Sequence, residues 1–86
     1  MFTTYVLRSQ ATNRFYTGST SDFDTRFRRH NEDASASTKH RGPWDLVYRE
    51  DFATRSEAFR RERYFKSGKG REELKMLLAA RKPQHE

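Results

Sequence analysis

The sequence predicts a small, single-domain α+β fold: a three-stranded, mainly antiparallel sheet flanked by three helices in the order β-β-α-β-α-α. Two short runs rich in β-branched and aromatic residues open the chain with a polar turn between them, and a third such run stands near its middle. Around these, apolar residues repeat at helical spacing behind capping or glycine signals. A chain of 86 residues has room for one modest core. Residues 1–80 are therefore expected to form one domain and residues 81–86 a polar tail.

Phe2-Thr3-Thr4-Tyr5-Val6-Leu7-Arg8 reads as a strand, and Phe15-Tyr16-Thr17, after the turn Gln10-Ala11-Thr12-Asn13, completes a hairpin. Gly18 ends the second strand. Ser21 followed by Asp24 supplies a capping pattern with acids where they suit the helix dipole, so the first helix starts near Asp22. Phe23 and Phe27 mark its buried stripe, while Arg26 and His30 share an adjacent face. Residues from Asp33 to Arg41 are small and polar without period, an exposed loop able to close over a ligand. Trp44, Leu46 and Tyr48 then alternate with Asp45, Val47 and Arg49 as a third strand. Thr54 and Glu57 form a capping box that opens a second helix running to about Lys66. Gly68 and Gly70 flank a break, and Leu74, Leu77 and Leu78 give a third helix its apolar stripe.

Charge narrows the partner. Eighteen Lys and Arg stand against twelve Asp and Glu, and residues 54–82 hold ten of the basic residues but only four acids. A single Lys or Arg most often serves a solvated helix face, so only the sum points to a polyanion: nucleic acid first, an anionic membrane surface second. The absence of cysteine excludes disulfides, thiolate metal sites and a thiol nucleophile. Met1 to Leu7 lacks the basic start and long apolar run of a signal sequence, and no stretch is apolar enough to span a bilayer. The expectation is a soluble, cytoplasmic protein with no membrane partner. Lys66-Ser67-Gly68-Lys69-Gly70-Arg71 lacks the spacing of a nucleotide-binding phosphate loop, so it reads as a basic strip along nucleic acid, and no small-molecule cofactor is expected.

The first sign of a site is Glu62, which falls in the same helical arc as Ala58, Phe59 and Phe65. A carboxylate there needs a cation, and for a lone helical Glu a salt bridge is the commoner answer than a metal. Context shifts that balance. Thr3-Thr4-Tyr5 and Tyr16-Thr17-Gly18 are separated by ten residues, Arg26 and His30 follow on one helical face, and Glu62 follows in a basic helix. This arrangement resembles the GIY-YIG nuclease family, over residues 2 to about 66, and is closest to its short stand-alone bacterial members. Thr3, Thr4 and Thr17 depart from the family's Gly and Ile at positions that bear no catalytic group, while Tyr5, Tyr16, Arg26 and Glu62 match.

The resemblance implies a divalent-metal-dependent endonuclease that hydrolyses phosphodiester bonds, in DNA before RNA, with single-stranded or branched DNA among the candidate substrates. It implies an active site of Tyr5, Tyr16, Arg26, His30 and Glu62. Glu62 would hold one Mg²⁺ or Mn²⁺, since Mg²⁺ keeps several waters and needs few protein oxygens. Tyr5 would position and deprotonate water, with Arg26 as the cation that lowers its pKa and grips the phosphate. Tyr16 would join the water network, and His30 would orient a tyrosine or accept its proton. Gly18, by lacking a Cβ, would let the substrate backbone approach. Lys39, His40 and Arg41 in the polar loop, with Lys66, Lys69 and Arg71, would touch backbone phosphates. A non-catalytic nucleic-acid-binding module and an RNase on the same fold are the alternatives.

Overall fold

A computed structural model describes residues 1–32 and 42–80 of the chain. The elements follow the expected order: β1 (Phe2–Ser9), β2 (Phe15–Thr20), α1 (Phe23–Asn31), β3 (Trp44–Phe52), α2 (Arg55–Lys66) and α3 (Gly68–Ala80). The tail at residues 81–86 lies outside the described residues.

The strands form one antiparallel sheet in the order β2-β1-β3, which leaves β2 and β3 as edges and buries β1 in the middle. The hairpin turn is closed by Ser9, whose Oγ accepts from the backbone N–H of Ala11 at 3.1 Å and of Thr12 at 3.0 Å. Asn13 takes the left-handed conformation the turn requires, with φ 62°, a geometry that its short polar side chain tolerates.

Because side chains alternate across a strand, β1 serves two cores at once. Tyr5 and Leu7 point to one face, where they meet Phe23 of α1 and Trp44. Val6 points to the other, where it meets Tyr48, Phe65 of α2 and Leu74 of α3. The molecule is thus a sheet with α1 on one side and the α2–α3 pair on the other.

The alternation of Trp44, Leu46 and Tyr48 implies one shared face, and the structure corrects this. Val6 pairs with Tyr48 but Leu7 pairs with Leu46, so Val47 is an extra residue in β3. A bulge of this kind switches the facing of everything beyond it. Trp44 consequently joins the Tyr5 core and Tyr48 the Phe65 core.

Helix starts are read closely by their caps. Asp22, one residue beyond the Ser21 of the sequence pattern, caps α1, its Oδ1 accepting from Thr25 N–H at 3.2 Å. The Thr54–Glu57 capping box is present at α2. Helices α2 and α3 are separated by Ser67 alone, and its Oγ accepts from Gly70 N–H at 3.1 Å. Gly70 lies inside α3 and is needed for packing: a Cβ there would come within 1.7 Å of the Tyr64 carbonyl oxygen. Arg61 ties the pair to the sheet, meeting Glu50 of β3 at 3.2 Å and Glu73 of α3 at 3.4 Å.

Candidate active site

The site is built on the middle of the hairpin. Tyr5 sits directly across the ladder from Gly18. The space that a side chain at position 18 would fill is taken by the Tyr5 phenol: a Cβ on Gly18 would lie 2.8 Å from Tyr5 Oη and 3.1 Å from the Tyr16 ring. Gly18 therefore makes room for a tyrosine of its own chain, where the sequence suggested room for a substrate.

Tyr5 is fully buried, and its hydroxyl lies 3.0 Å from Nε2 of His30, itself fully buried at the end of α1. Tyr16 closes the third side, its ring centroid 6.3 Å from that of Tyr5 and 4.9 Å from that of His30. Phe23 meets Tyr5 edge-on at 5.5 Å, and the Arg49 guanidinium covers the Phe23 ring at 4.5 Å. The end of α1 is fixed as well. Asn31 Oδ1 accepts from Trp44 N–H at 2.6 Å while its Nδ2 donates to the Trp44 carbonyl at 3.3 Å, so a side chain pairs with the start of β3 as a strand would.

Electrostatics follow from this burial. Loss of solvent pushes the Tyr5 phenol well above its ordinary pKa of 10.0; Tyr16 and Glu62 act in the same direction, and Arg26 opposes them. The expectation that Arg26 would make Tyr5 an accessible phenolate is not met, because desolvation outweighs that one cation. His30 is driven the other way, down to about 4, by burial and by Arg26. At neutral pH the contact joins a neutral phenol to a neutral imidazole. Arg26 itself has no carboxylate within 4.0 Å among the described residues.

Glu62 approaches from the other layer. Its Oε1 accepts a 2.6 Å hydrogen bond from Ser19 Oγ, and its Oε2 lies 2.7 Å from Lys66 Nζ, one turn along α2. The side chain is 15% exposed. The arc assigned to it needs one correction: Ala58 and Phe65 are buried, but Phe59 is 49% exposed, with the Arg63 guanidinium over its ring. Glu62 borders the apolar stripe on the side facing β2.

The five expected residues thus converge on the β2 half of the sheet. Tyr5, Tyr16 and His30 are in direct contact, and the charges of Arg26 and Glu62 are both felt at Tyr5. Lys69 and Arg71 are exposed in the first turn of α3, and Lys66 is paired to Glu62. Lys39, His40 and Arg41 lie outside the described residues. Ser19, which holds Glu62 across 43 positions of sequence, was not anticipated, because only the hairpin register together with the seating of α2 brings it there. Among the described residues no three His, Asp or Glu gather as a metal cluster, at Glu62 or elsewhere.

Comparison with known proteins gives the same constellation a family. The model of the GIY-YIG catalytic domain matches residues 1–75. The chain belongs to the GIY-YIG family. Its relatives include a UPF0213 protein of Staphylococcus haemolyticus, 42% identical over 66 residues that cover 76% of this chain and 80% of that one. A UPF0213 protein of Bacillus subtilis is 40% identical over 63 residues, 72% of this chain and 63% of its own. The solution NMR structure of the UPF0213 protein from Bacillus halodurans superposes with a TM-score of 0.55 at 33% identity, covering 90% of this chain and 85% of that one. Membership of this nuclease superfamily gives the domain a nuclease-type function and a nucleic-acid substrate. Among the described residues, no helix of the domain is long and apolar enough to cross a membrane.

Proposed function

We propose that this GIY-YIG domain is a divalent-metal-dependent endonuclease that hydrolyses phosphodiester bonds in nucleic acid, DNA in preference to RNA. The observation that carries the reading is the buried Tyr5–His30 hydrogen bond beside Arg26 and Glu62. Stability alone does not call for this arrangement, since replacing both partners of a buried hydrogen bond by apolar groups of the same shape can be nearly neutral.

Each side chain has a task that its surroundings suit. Arg26, held by no carboxylate among the described residues, grips the scissile phosphate and offsets charge in the transition state. Tyr5 stays protonated at rest and moves a proton only in concert: its oxygen takes a proton from water as its own passes to His30 Nε2. No free phenolate is required. Phosphate on Arg26 cancels part of the positive charge that holds the His30 pKa down, making the imidazole a better base when substrate is present. Tyr16 orients the water from the solvent side of the Tyr5–His30 pair.

Glu62 is the residue to hold one Mg²⁺ or Mn²⁺. A single protein carboxylate is enough for an ion that keeps most of its waters and takes further oxygens from phosphate, and the bound ion would stabilise the leaving oxygen. Lys66 must leave Oε2 for that to happen.

The same Lys66–Glu62 pair favours a second reading, a binding module in which the carboxylate is already neutralised by its own helix. The two separate in one experiment. The purified protein and Glu62→Gln are incubated with labelled single-stranded DNA, duplex DNA, a branched junction and RNA, in Mg²⁺, in Mn²⁺ and in a chelator. Metal-dependent cutting that Glu62→Gln loses supports the nuclease and names its substrate. Binding without cutting on every substrate supports the module.

A further inference from the structure

Beside the active site, on the face of the sheet that carries α2 and α3, an open groove runs between the edge strand β2 and α3. Its floor is apolar, formed by Phe65, Leu74 and Leu78. Phe15 stands on its lip, 53% exposed although it is a large aromatic side chain. The charged residues lining it are Arg14, Lys66, Arg71 and Lys75, with no acid among them. Arg14, Arg71 and Lys75 have no carboxylate within 4.0 Å among the described residues, and Lys66 leads directly to Glu62.

We propose that this groove binds an unpaired stretch of the nucleic-acid substrate, with a base against Phe15 and the apolar floor and its phosphates on Arg14, Arg71 and Lys75. The proposal rests on the domain acting on nucleic acid and deepens it by naming strandedness. Charge alone would suit any phosphate backbone, single or double. The exposed aromatic and the apolar floor decide between them, because a base within a duplex has both faces stacked and its edges paired, while an unpaired base offers a face to a ring. A strand seated there reaches Lys66 and, through it, Glu62, so the groove delivers an unpaired segment to the edge of the catalytic cluster.

The test is made in chelator, where no cutting occurs. Anisotropy of a fluorescein-labelled 12-mer DNA is measured single-stranded and as a duplex, against the full chain and three variants: Phe15→Ala, Arg71→Glu/Lys75→Glu, and Arg60→Glu as an exposed α2 cation off the groove. Phe15→Ala is expected to weaken single-strand binding about 5- to 100-fold and duplex binding far less. Phe15→Trp should retain it, and the double charge reversal should weaken binding well beyond Arg60→Glu. Circular dichroism of each variant verifies its fold. Equal single-strand affinity for Phe15→Ala and the parent overturns the proposal, as does equal loss from Arg60→Glu. A chain that is dimeric in solution and made monomeric by Phe15→Ala also overturns it, assigning the groove to a second copy. The nuclease reading is tested separately: single-strand binding lost in Phe15→Ala without cutting by the parent under any metal keeps the groove and removes the enzyme.

Discussion

Lys66 Nζ sits 2.7 Å from Oε2 of Glu62, one helical turn away, and so covers the carboxylate that the proposed metal would use. Lys66 also lines the groove beside β2. A phosphate that drew Lys66 off would uncover Glu62 at the moment substrate arrives, coupling the two sites without any backbone movement. Lys66→Met should therefore tighten Mn²⁺ binding in the absence of nucleic acid. The gain is expected to be about two- to fivefold, the worth of one half-exposed ion pair, measured by the electron paramagnetic resonance signal of free Mn²⁺. Glu62→Gln should abolish the binding. Equal affinity in Lys66→Met and the parent would show that the pair does not guard the site.

Gly18 and Tyr5 share one volume. Gly18→Ala drives a methyl to 2.8 Å from Tyr5 Oη and 3.1 Å from the Tyr16 ring, between two tyrosine rings packed against each other and against His30. The expected cost is about 1–3 kcal/mol in urea unfolding. In a double-mutant cycle, combining Gly18→Ala with Tyr5→Phe should recover part of that loss, because the hydroxyl is the nearest atom. Strict additivity would place the strain elsewhere.

The two glycines around the α2–α3 junction should behave oppositely. A Cβ on Gly70 meets the Tyr64 carbonyl, so Gly70→Ala has to push α3 off α2 and should cost about 3 kcal/mol or more. A Cβ on Gly68 meets nothing within 4 Å, and Gly68→Ala should be neutral or stabilising by up to about 1 kcal/mol. Thermal unfolding of both variants checks the contrast.

The pH dependence of stability should carry the signature of His30. Its pKa is held down to about 4 against 6.5 for an exposed imidazole. The unfolded chain therefore takes up a proton between those two values that the folded chain refuses, and stability falls as pH falls through that window. The total loss is on the order of 3 kcal/mol. The Asp22 and Asp51 carboxyls, held below their ordinary value by hydrogen bonds from Thr25 and Thr3, add losses only at lower pH. Urea midpoints taken from pH 7 downward should show the first decline in the parent and a flattened one in His30→Gln, whatever the absolute stability of that variant.

Much of this was legible in the sequence because local signals agreed with one another. The Thr54–Glu57 box, the Phe23–Phe27 stripe and the β-branched run of β1 each specify an element by themselves. The tyrosines, Arg26, His30 and Glu62 were found through their spacing and family likeness. What escaped depends on register and tertiary seating. The Val47 bulge leaves no mark, since Leu46-Val47-Tyr48 suits a strand facing either way, yet it decides which core Trp44 enters. Ser19 looks like any polar residue of an edge strand until α2 is laid against it. Phe59 looks buried by helical arc but stands at the margin, where Arg63 covers it. The neutrality of Tyr5 is a consequence of burial, which charge spacing does not reveal.

Tyr5→Phe tests the proton relay most directly, because it keeps the ring that packs against Phe23 and removes only the hydroxyl that meets His30. The measurement is the single-turnover rate in Mg²⁺ on the substrate the parent cuts fastest, alongside melting temperature and binding in chelator. The expected result is a loss of about 100-fold or more in rate, with folding and binding retained. Cleavage by Tyr5→Phe at the parent's rate would contradict the relay and leave the Tyr5–His30 contact a matter of packing.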